Sequence, residues 1–219
     1  MKYLVFDAGP LISLALGGMI DILGKLKKKN IEFVITSAVR KESIEKAMNI
    51  KKYKLDAMRI STLIEKGILK NSSEFVPDEE LRKETDKVKS LAKQVLRAKQ
   101  ERIELIHDGE ASCLAFSKLV KGDCLIVVDE RTTRLLSESP EELKNLIEKK
   151  THLKITLENK ETKFFKDFKF IRSSELIFRA YKEGFLGDNR EILDAVLYNL
   201  KYHGTTISSN EIEEMKKLI

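Results

Sequence analysis

Four acids in this sequence occupy positions where α/β proteins do chemistry. "YLVFDAGPLISLAL" carries Asp7 directly behind an apolar run, and "CLIVVDERTTRLLS" carries Asp129, with Glu130 beside it, in the same setting. Glu110 lies in the first turn of "IHDGEASCLAFSKLV", the helix that leads into the Asp129 strand. Glu42 lies a turn and a half into "SAVRKESIEKAM". In an open parallel sheet, sites form outside the carboxyl ends of the strands, so these four can converge there. Four carboxylates in one pocket repel one another and do not all ionise unaided. A divalent cation removes that cost. Hard oxygen ligands without Cys or His nearby select Mg²⁺ or Mn²⁺ rather than zinc. A pair of such ions activates a water, supports a scissile phosphate and stabilises the leaving oxygen, which is phosphodiester hydrolysis.

Each acid also has an ordinary role open to it. Asp7 suits the N-cap of the next helix, and Glu110 suits the positive end of a helix dipole. Glu42 is hard to separate from Glu45, one turn on. Asp129 is the strongest single case, because the strand before it is so apolar.

The elements that must position these acids read as strand and helix in alternation. Residues 3–6 predict a buried strand, with a helix from about Pro10, a residue suited to a first turn. A second helix is expected near 19–28, and "EFVIT" (32–36) is a second strand. Ser37 is read as the N-cap of the helix after it and Asp108 as that of "IHDGEASCLAFSKLV". Residues 50–105 predict two or more helices. One is "EELRKETDKVKSLAKQVLRAKQ", whose narrow apolar stripe at Leu81, Val88, Leu91, Ala92, Val95 and Leu96 fits a packed arm or a dimer contact. "CLIVV" (124–128) is a further apolar strand. Apolar rather than alternating strands argue for a parallel sheet covered on both faces. Within 140–170, "PEELKNLIEKK" is a short helix, while "LKITLEN" and "TKFFKDFKFI" read as strands or a hairpin insertion. Ser174 and Asp188 are read as caps of two C-terminal helices, and Ser208 with Glu211 as a capping box for the last.

Composition narrows the class. The chain has 219 residues, 42% of them hydrophobic, and needs no disulfide to hold a core. Cys113 and Cys124 have no metal-ligand spacing and read as buried apolar residues of a reducing compartment. The run Leu11–Ile20 is too short to span a bilayer, and Asp7 is foreign to a signal peptide, so a cytoplasmic protein is expected. The net charge of +6 permits a nucleic-acid partner. Its dense Lys and Glu content is common in thermophiles.

Together, "YLVFDAGPLISL", "SAVRKESIEKA", "HDGEASCLAFSKLVKGDCLIVVDERTTRLL" and the tail "SSELIFRAYKEGFLGDNREILDAVLYNLKYHGTTIS" resemble the PIN-domain family. The likeness is to its VapC-like group with a "GE" motif and a helical C-terminal tail, and covers roughly 1–48, 106–138 and 173–210. It implies a Rossmann-like three-layer α/β/α fold, residues 1–139 as the catalytic domain with a helical arm near 50–105, and 140–219 as an extension packed on it. It implies a ribonuclease whose catalytic acids are Asp7, Glu42, Glu110 and Asp129. Asp7, Glu110 and Asp129 are the expected ligands of Mg²⁺ or Mn²⁺, and Glu130 stands where many relatives carry a second Asp. The expected partners are RNA, an antitoxin protein if the chain is a toxin, and a second copy of the chain. The sequence departs from the family at Ala8-Gly9, where a polar residue often follows the first Asp. Residues 50–105 and 140–170 are also longer than a compact toxin needs.

Around the acids, Arg131 and Arg134 share a helix face, and Thr132 and Thr133 offer hydroxyls. A guanidinium matches phosphate bidentately, so Arg131, Thr132 and Arg134 are the expected substrate-binding residues. An ion pair with Glu138 is the ordinary alternative for the arginines. Arg97, Lys99 and Arg102 are read as a solvated face or an RNA groove, and Tyr181, Tyr198 and Tyr202 as core or interface. His107, His152 and His203 show no ligand pairing. The competing expectation is a PIN-like binding or assembly module with weak or no activity. A dehalogenase-type phosphatase needs an acid where Gly9 stands, and a phospho-receiver needs an acid pair near the end of strand one.

Overall fold

The computed structural model describes residues 1–219, the side chain of Asn159 excepted. Strand β1 (Lys2–Phe6) is buried at four consecutive positions, and α1 (Ala8–Leu16) follows it with only Asp7 between. After α2 (Ile22–Leu26) and β2 (Ile31–Ile35), α3 (Ser37–Arg40) runs into a π-helical turn, Lys41–Lys46. The chain continues through α4 (Lys54–Glu65), β3 (Leu69–Asn71), α5 (Asp78–Val95), β4 (Leu96–Ala98) and β5 (Glu101–Arg102). It then forms α6 (Asp108–Leu119), β6 (Asp123–Val127), α7 (Arg131–Glu138), α8 (Pro140–Thr151), β7 (Ile155–Leu157) and α9 (Asn159–Thr162). The last elements are β8 (Phe170–Ile171), α10 (Ser173–Lys182), α11 (Arg190–Tyr202) and α12 (Ser209–Lys216).

Five strands form a parallel sheet in the order β3-β2-β1-β6-β8, flanked by helices in a Rossmann-like α/β arrangement. All carboxyl ends therefore lie on one edge. The chain steps from β1 out to β2 and β3, then returns to add β6 and β8 on the other side. The switch falls between β1 and β6, whose last residues Phe6 and Val127 are register partners. That is the crevice where open α/β sheets hold ligands, and Asp7 and Asp129 flank it. One hydrophobic core, with Phe6, Phe33, Phe116, Leu11 and Ile35 fully buried, fixes the sheet against its helices.

Several details differ from the sequence expectation. The region 50–105 is not purely helical. It adds β3 to the main sheet, and β4 pairs antiparallel with β5 and β7 in a second, three-stranded sheet. Of the two stretches read as strands or a hairpin, "LKITLEN" supplies β7, while most of the second is helical or irregular and ends in β8. β8 pairs parallel with β6, so the C-terminal region contributes to the central sheet itself. Four caps shift by one or two residues. Thr36 caps α3, His107 precedes α6, Arg172 precedes α10 and Asn189 caps α11. The capping box at Ser208 and Glu211 stands as expected.

The stripe on α5 is used within the chain: Leu81, Val88, Ala92 and Val95 are buried, and α5 packs on α6. Arg97 pairs with Glu158 and Arg102 donates to the Gln94 carbonyl in the small sheet. Tyr198 packs against the core, but Tyr202 is 79% exposed, contrary to a core role. Both cysteines are free and buried, and burial pushes the Cys124 thiol up to about 11. Among the described residues no helix is long and apolar enough to cross a membrane.

Candidate active site

Asp7 leaves β1 in extended conformation, and its Oδ2 accepts a long hydrogen bond, 3.4 Å, from the Gly9 N–H. It is only 8% exposed. Burial raises its pKa to about 7 from the ordinary 3.8; the carboxylates of Glu110 and Glu42 add to the rise, and the Ala8 and Gly9 N–H groups oppose it. The site thus holds a buried carboxylate with few donors and two acidic neighbours, a costly place for a negative charge.

Glu42 reaches the same spot from the π-helical turn. A Cβ built on Gly109 would lie 3.0 Å from Asp7 Oδ1 and 3.3 Å from Glu42 Oε2. The two carboxylates therefore close on one point of the α6 backbone, and the glycine of "GE" is what leaves them room. Gly109 is held there by a buried chain of hydroxyls. Its carbonyl accepts from Ser112 Oγ at 2.7 Å, and Ser112 Oγ meets Thr36 Oγ1 at 2.6 Å at the end of β2. A π turn widens the helix locally and recurs at functional sites; here it carries Glu42 toward α6.

Glu110 is the third acid of the group. Its Oε2 accepts from the His107 N–H at 2.7 Å, and its Oε1 from Thr133 Oγ1 at 3.3 Å. Burial raises its pKa, and the Glu130 carboxylate adds to that rise. Glu130 itself caps α7 by accepting from the Thr132 N–H.

Asp129, the fourth expected acid, has a different set of neighbours. Its carboxylate is 3% exposed and taken up by the C-terminal region. Oδ1 accepts from the Ser173 N–H at 2.9 Å, and Oδ2 from Ser173 Oγ at 2.7 Å and Thr205 Oγ1 at 3.1 Å. Thr206 Oγ1 also donates to the Asp129 carbonyl. Burial raises its pKa while the Ser173 and Thr205 donors hold it down. The structure brings Asp7, Glu42 and Glu110 within electrostatic reach of one another, while the Asp129 carboxylate hydrogen-bonds to α10 and the α11–α12 loop. Ser173, Thr205 and Thr206 escaped sequence reading. The one available signal was a Ser two residues behind the short apolar strand β8.

The substrate-side residues separate as well. Thr132 is buried, and Thr133 is the hydroxyl that touches Glu110. Arg131 is exposed. Arg134 is half-buried, 4.0 Å from Glu138, and its buried Nε has no hydrogen-bond partner among the described residues. Burial and the nearby Arg172 guanidinium lower its pKa, against the opposing carboxylates of Glu138, Glu175 and Glu211. Arg131, Arg134 and Lys201 line a cleft of about 790 Å³ with Thr205, Thr206 and Ser208. On the other side, Glu42 borders a cleft of about 540 Å³ with Lys41, Lys46 and Arg82.

Among the described residues no group of three or more His, Cys, Asp or Glu forms a ready-made metal cage. The donor chemistry nevertheless fits a hard divalent cation: Asp7 and Glu42 present converging carboxylate oxygens where negative charge lacks compensation. No family model, no curated protein and no solved structure matches the chain. The class that fold and site define is a Rossmann-like α/β protein with an acidic centre at its topological switch point.

Proposed function

We propose that this protein is a PIN-type, metal-dependent endoribonuclease. The observation that carries the reading is the buried Asp7, driven up to about 7 by burial and by Glu110 and Glu42, at the carboxyl edge of a parallel sheet. A buried carboxylate raised by desolvation and by nearby carboxylates is a recognised mark of a functional site.

Asp7 and Glu42 would hold Mg²⁺ or Mn²⁺, with Glu110 as the nearest third acid. When bound, the ion activates water and neutralises charge on the phosphodiester being cut. The chain's own residues supply the rest. Gly109 lets the two carboxylates approach, and Thr133 and the His107 N–H orient Glu110. Arg134 and the exposed Arg131, which line the same cleft, would bind a backbone phosphate through their accessible guanidinium nitrogens. The cleft bordered by Glu42, Lys41, Lys46 and Arg82 would take the RNA strand next to the acids.

A binding or assembly module is the second reading. The commitment of Asp129 to Ser173 and Thr205 favours it, because this acid is then spent on holding the fold. Cleavage of labelled single-stranded RNA with Mn²⁺ or Mg²⁺ separates the two. The nuclease cuts in wild type, and cutting is lost in Asp7→Asn and in EDTA. Intact RNA in every wild-type reaction leaves the binding module.

A further inference from the structure

The face of Glu42 turned away from the polar cleft opens on a second, different cavity. It measures about 510 Å³ and lies between α1, the π-helical turn and α4. Ile12, Leu16, Ala47 and Ile60 form its apolar part, and Tyr53 and His203 line it as rings. Glu42 and Lys46 belong to both cavities, so the apolar pocket adjoins the acidic centre across a single side-chain ridge.

Its chemistry is specific. Tyr53 is half-buried, and among the described residues its ring has no aromatic neighbour, only the Lys52 ammonium 5.1 Å from its centroid. His203 Nδ1 lies 2.8 Å from the Asn199 carbonyl. Facing a carbonyl, that nitrogen must donate, which leaves Nε2 of the neutral ring as an acceptor. Asp56, a buried carboxylate paired with Arg59, adds further acceptor oxygens to the lining. Among the described residues Lys46, at the ridge beside Glu42, is the only cation on the pocket's own wall.

We propose that this pocket holds one nucleobase of the RNA strand, the base next to the phosphodiester at Asp7 and Glu42, and that it prefers a base bearing an exocyclic amino group. This rests on the ribonuclease reading above. An unstacked base is flat, needs an aromatic face to replace its lost stacking, and presents polar groups only at its edge. Tyr53 supplies the face, the aliphatic residues accept the rest of the ring, and His203 and Asp56 accept from an amino group that uracil lacks. Lys46 carries the charge for the phosphate joining this nucleotide to the one being cut.

The test uses a short single-stranded RNA that the wild type cuts at one place, and a set of copies each with one abasic position. Binding to the full chain carrying Asp7→Asn is measured by fluorescence anisotropy in EDTA, so the readout is independent of cleavage. One abasic position beside the cut should weaken binding about tenfold, the loss of one base–aromatic stack. Adding Tyr53→Ala should shrink that penalty to less than about twofold, and Tyr53→Phe should restore it. Uracil at that position should bind several-fold more weakly than adenine or cytosine. If the wild type cuts the RNA but no abasic position matters, or the penalty survives Tyr53→Ala, the pocket proposal is overturned and the nuclease stands. If no RNA is cut or bound, both fall together.

Discussion

Asp7 and Asp129 enter the fold in similar ways, on adjacent parallel strands: Asp7 is the single residue between β1 and α1, and Asp129 lies in the short link between β6 and α7, with Val128 before it and the cap Glu130 after it. Their surroundings differ completely. Asp129 is met by a backbone N–H and two hydroxyls, all neutral donors from the C-terminal region. Asp7 is met by the N–H groups of Ala8 and Gly9, the latter at 3.4 Å, and by two more acids. Hydrogen bonds offset part of the desolvation of a buried carboxylate, and at Asp129 they oppose a rise in pKa that burial still imposes. A buried carboxylate surrounded by carboxylates is stable only when protonated or when a cation arrives. Position in the topology nominates both residues, and the donors around them decide what each does.

A change of pH should separate the two acids most strongly. The folded-state pKa of Asp7, about 7, lies above its ordinary 3.8, so the native state holds this proton more tightly than the unfolded chain. Its favourable contribution is complete below about pH 4 and is lost as pH rises through about 7. Asp7→Asn keeps an N-cap acceptor and removes the titration. The variant should match wild type in urea unfolding near pH 4 and exceed it by about 2–4 kcal/mol at pH 8 without metal. Equal stabilities at both pH values would show that Asp7 is not strained by its neighbours.

At Asp129 a loss of stability is expected instead. Ser173→Ala removes one hydroxyl donor from Asp129, and removal of a buried hydrogen bond to a charge costs about 1–3 kcal/mol. The melting temperature should fall by several degrees, at about 2–4 °C per kcal/mol for a chain of this size, with Mn²⁺ affinity unchanged. A parallel loss of Mn²⁺ affinity would return Asp129 to the metal site.

The smallest effect concerns two neighbouring glutamates. Glu42→Gln should weaken Mn²⁺ binding about tenfold or more. Glu45→Gln should leave it as it is, because Glu45 pairs with Arg40 at 3.7 Å whereas Glu42 is the one whose carboxylate approaches Gly109. The reverse order would place the wrong residue against Gly109.

Some of these elements are readable in the sequence and others are not. β1 and β6 announce themselves because apolar runs four or five residues long, each ended by an acid, mark parallel strands buried on both faces. β3 and β8 do not, since they are three and two residues long at the sheet's edges, and β3 carries Lys70 and Asn71 among its residues. Glu42 is hard to tell from Glu45 by helical spacing because the helix is not α there; the π turn alters the phase on which such spacing depends. The partners of Asp129 lie 44 and 76 residues further along the chain, beyond any local pattern. The nearness of Asp7 and Glu42 follows from their types and places in the sequence, whereas the hydrogen bonds around Asp129 depend on which donors the last third of the chain supplies.

An Asp7-centred metal site is tested most directly by a calorimetric Mn²⁺ titration of the wild type, Asp7→Asn and Asp129→Asn at pH 7.5, each confirmed folded by circular dichroism. We expect binding to the wild type, loss of about a hundredfold or more in Asp7→Asn, and affinity within about threefold of wild type in Asp129→Asn. Binding that survives in Asp7→Asn and disappears in Asp129→Asn would contradict such a site and move the centre to β6.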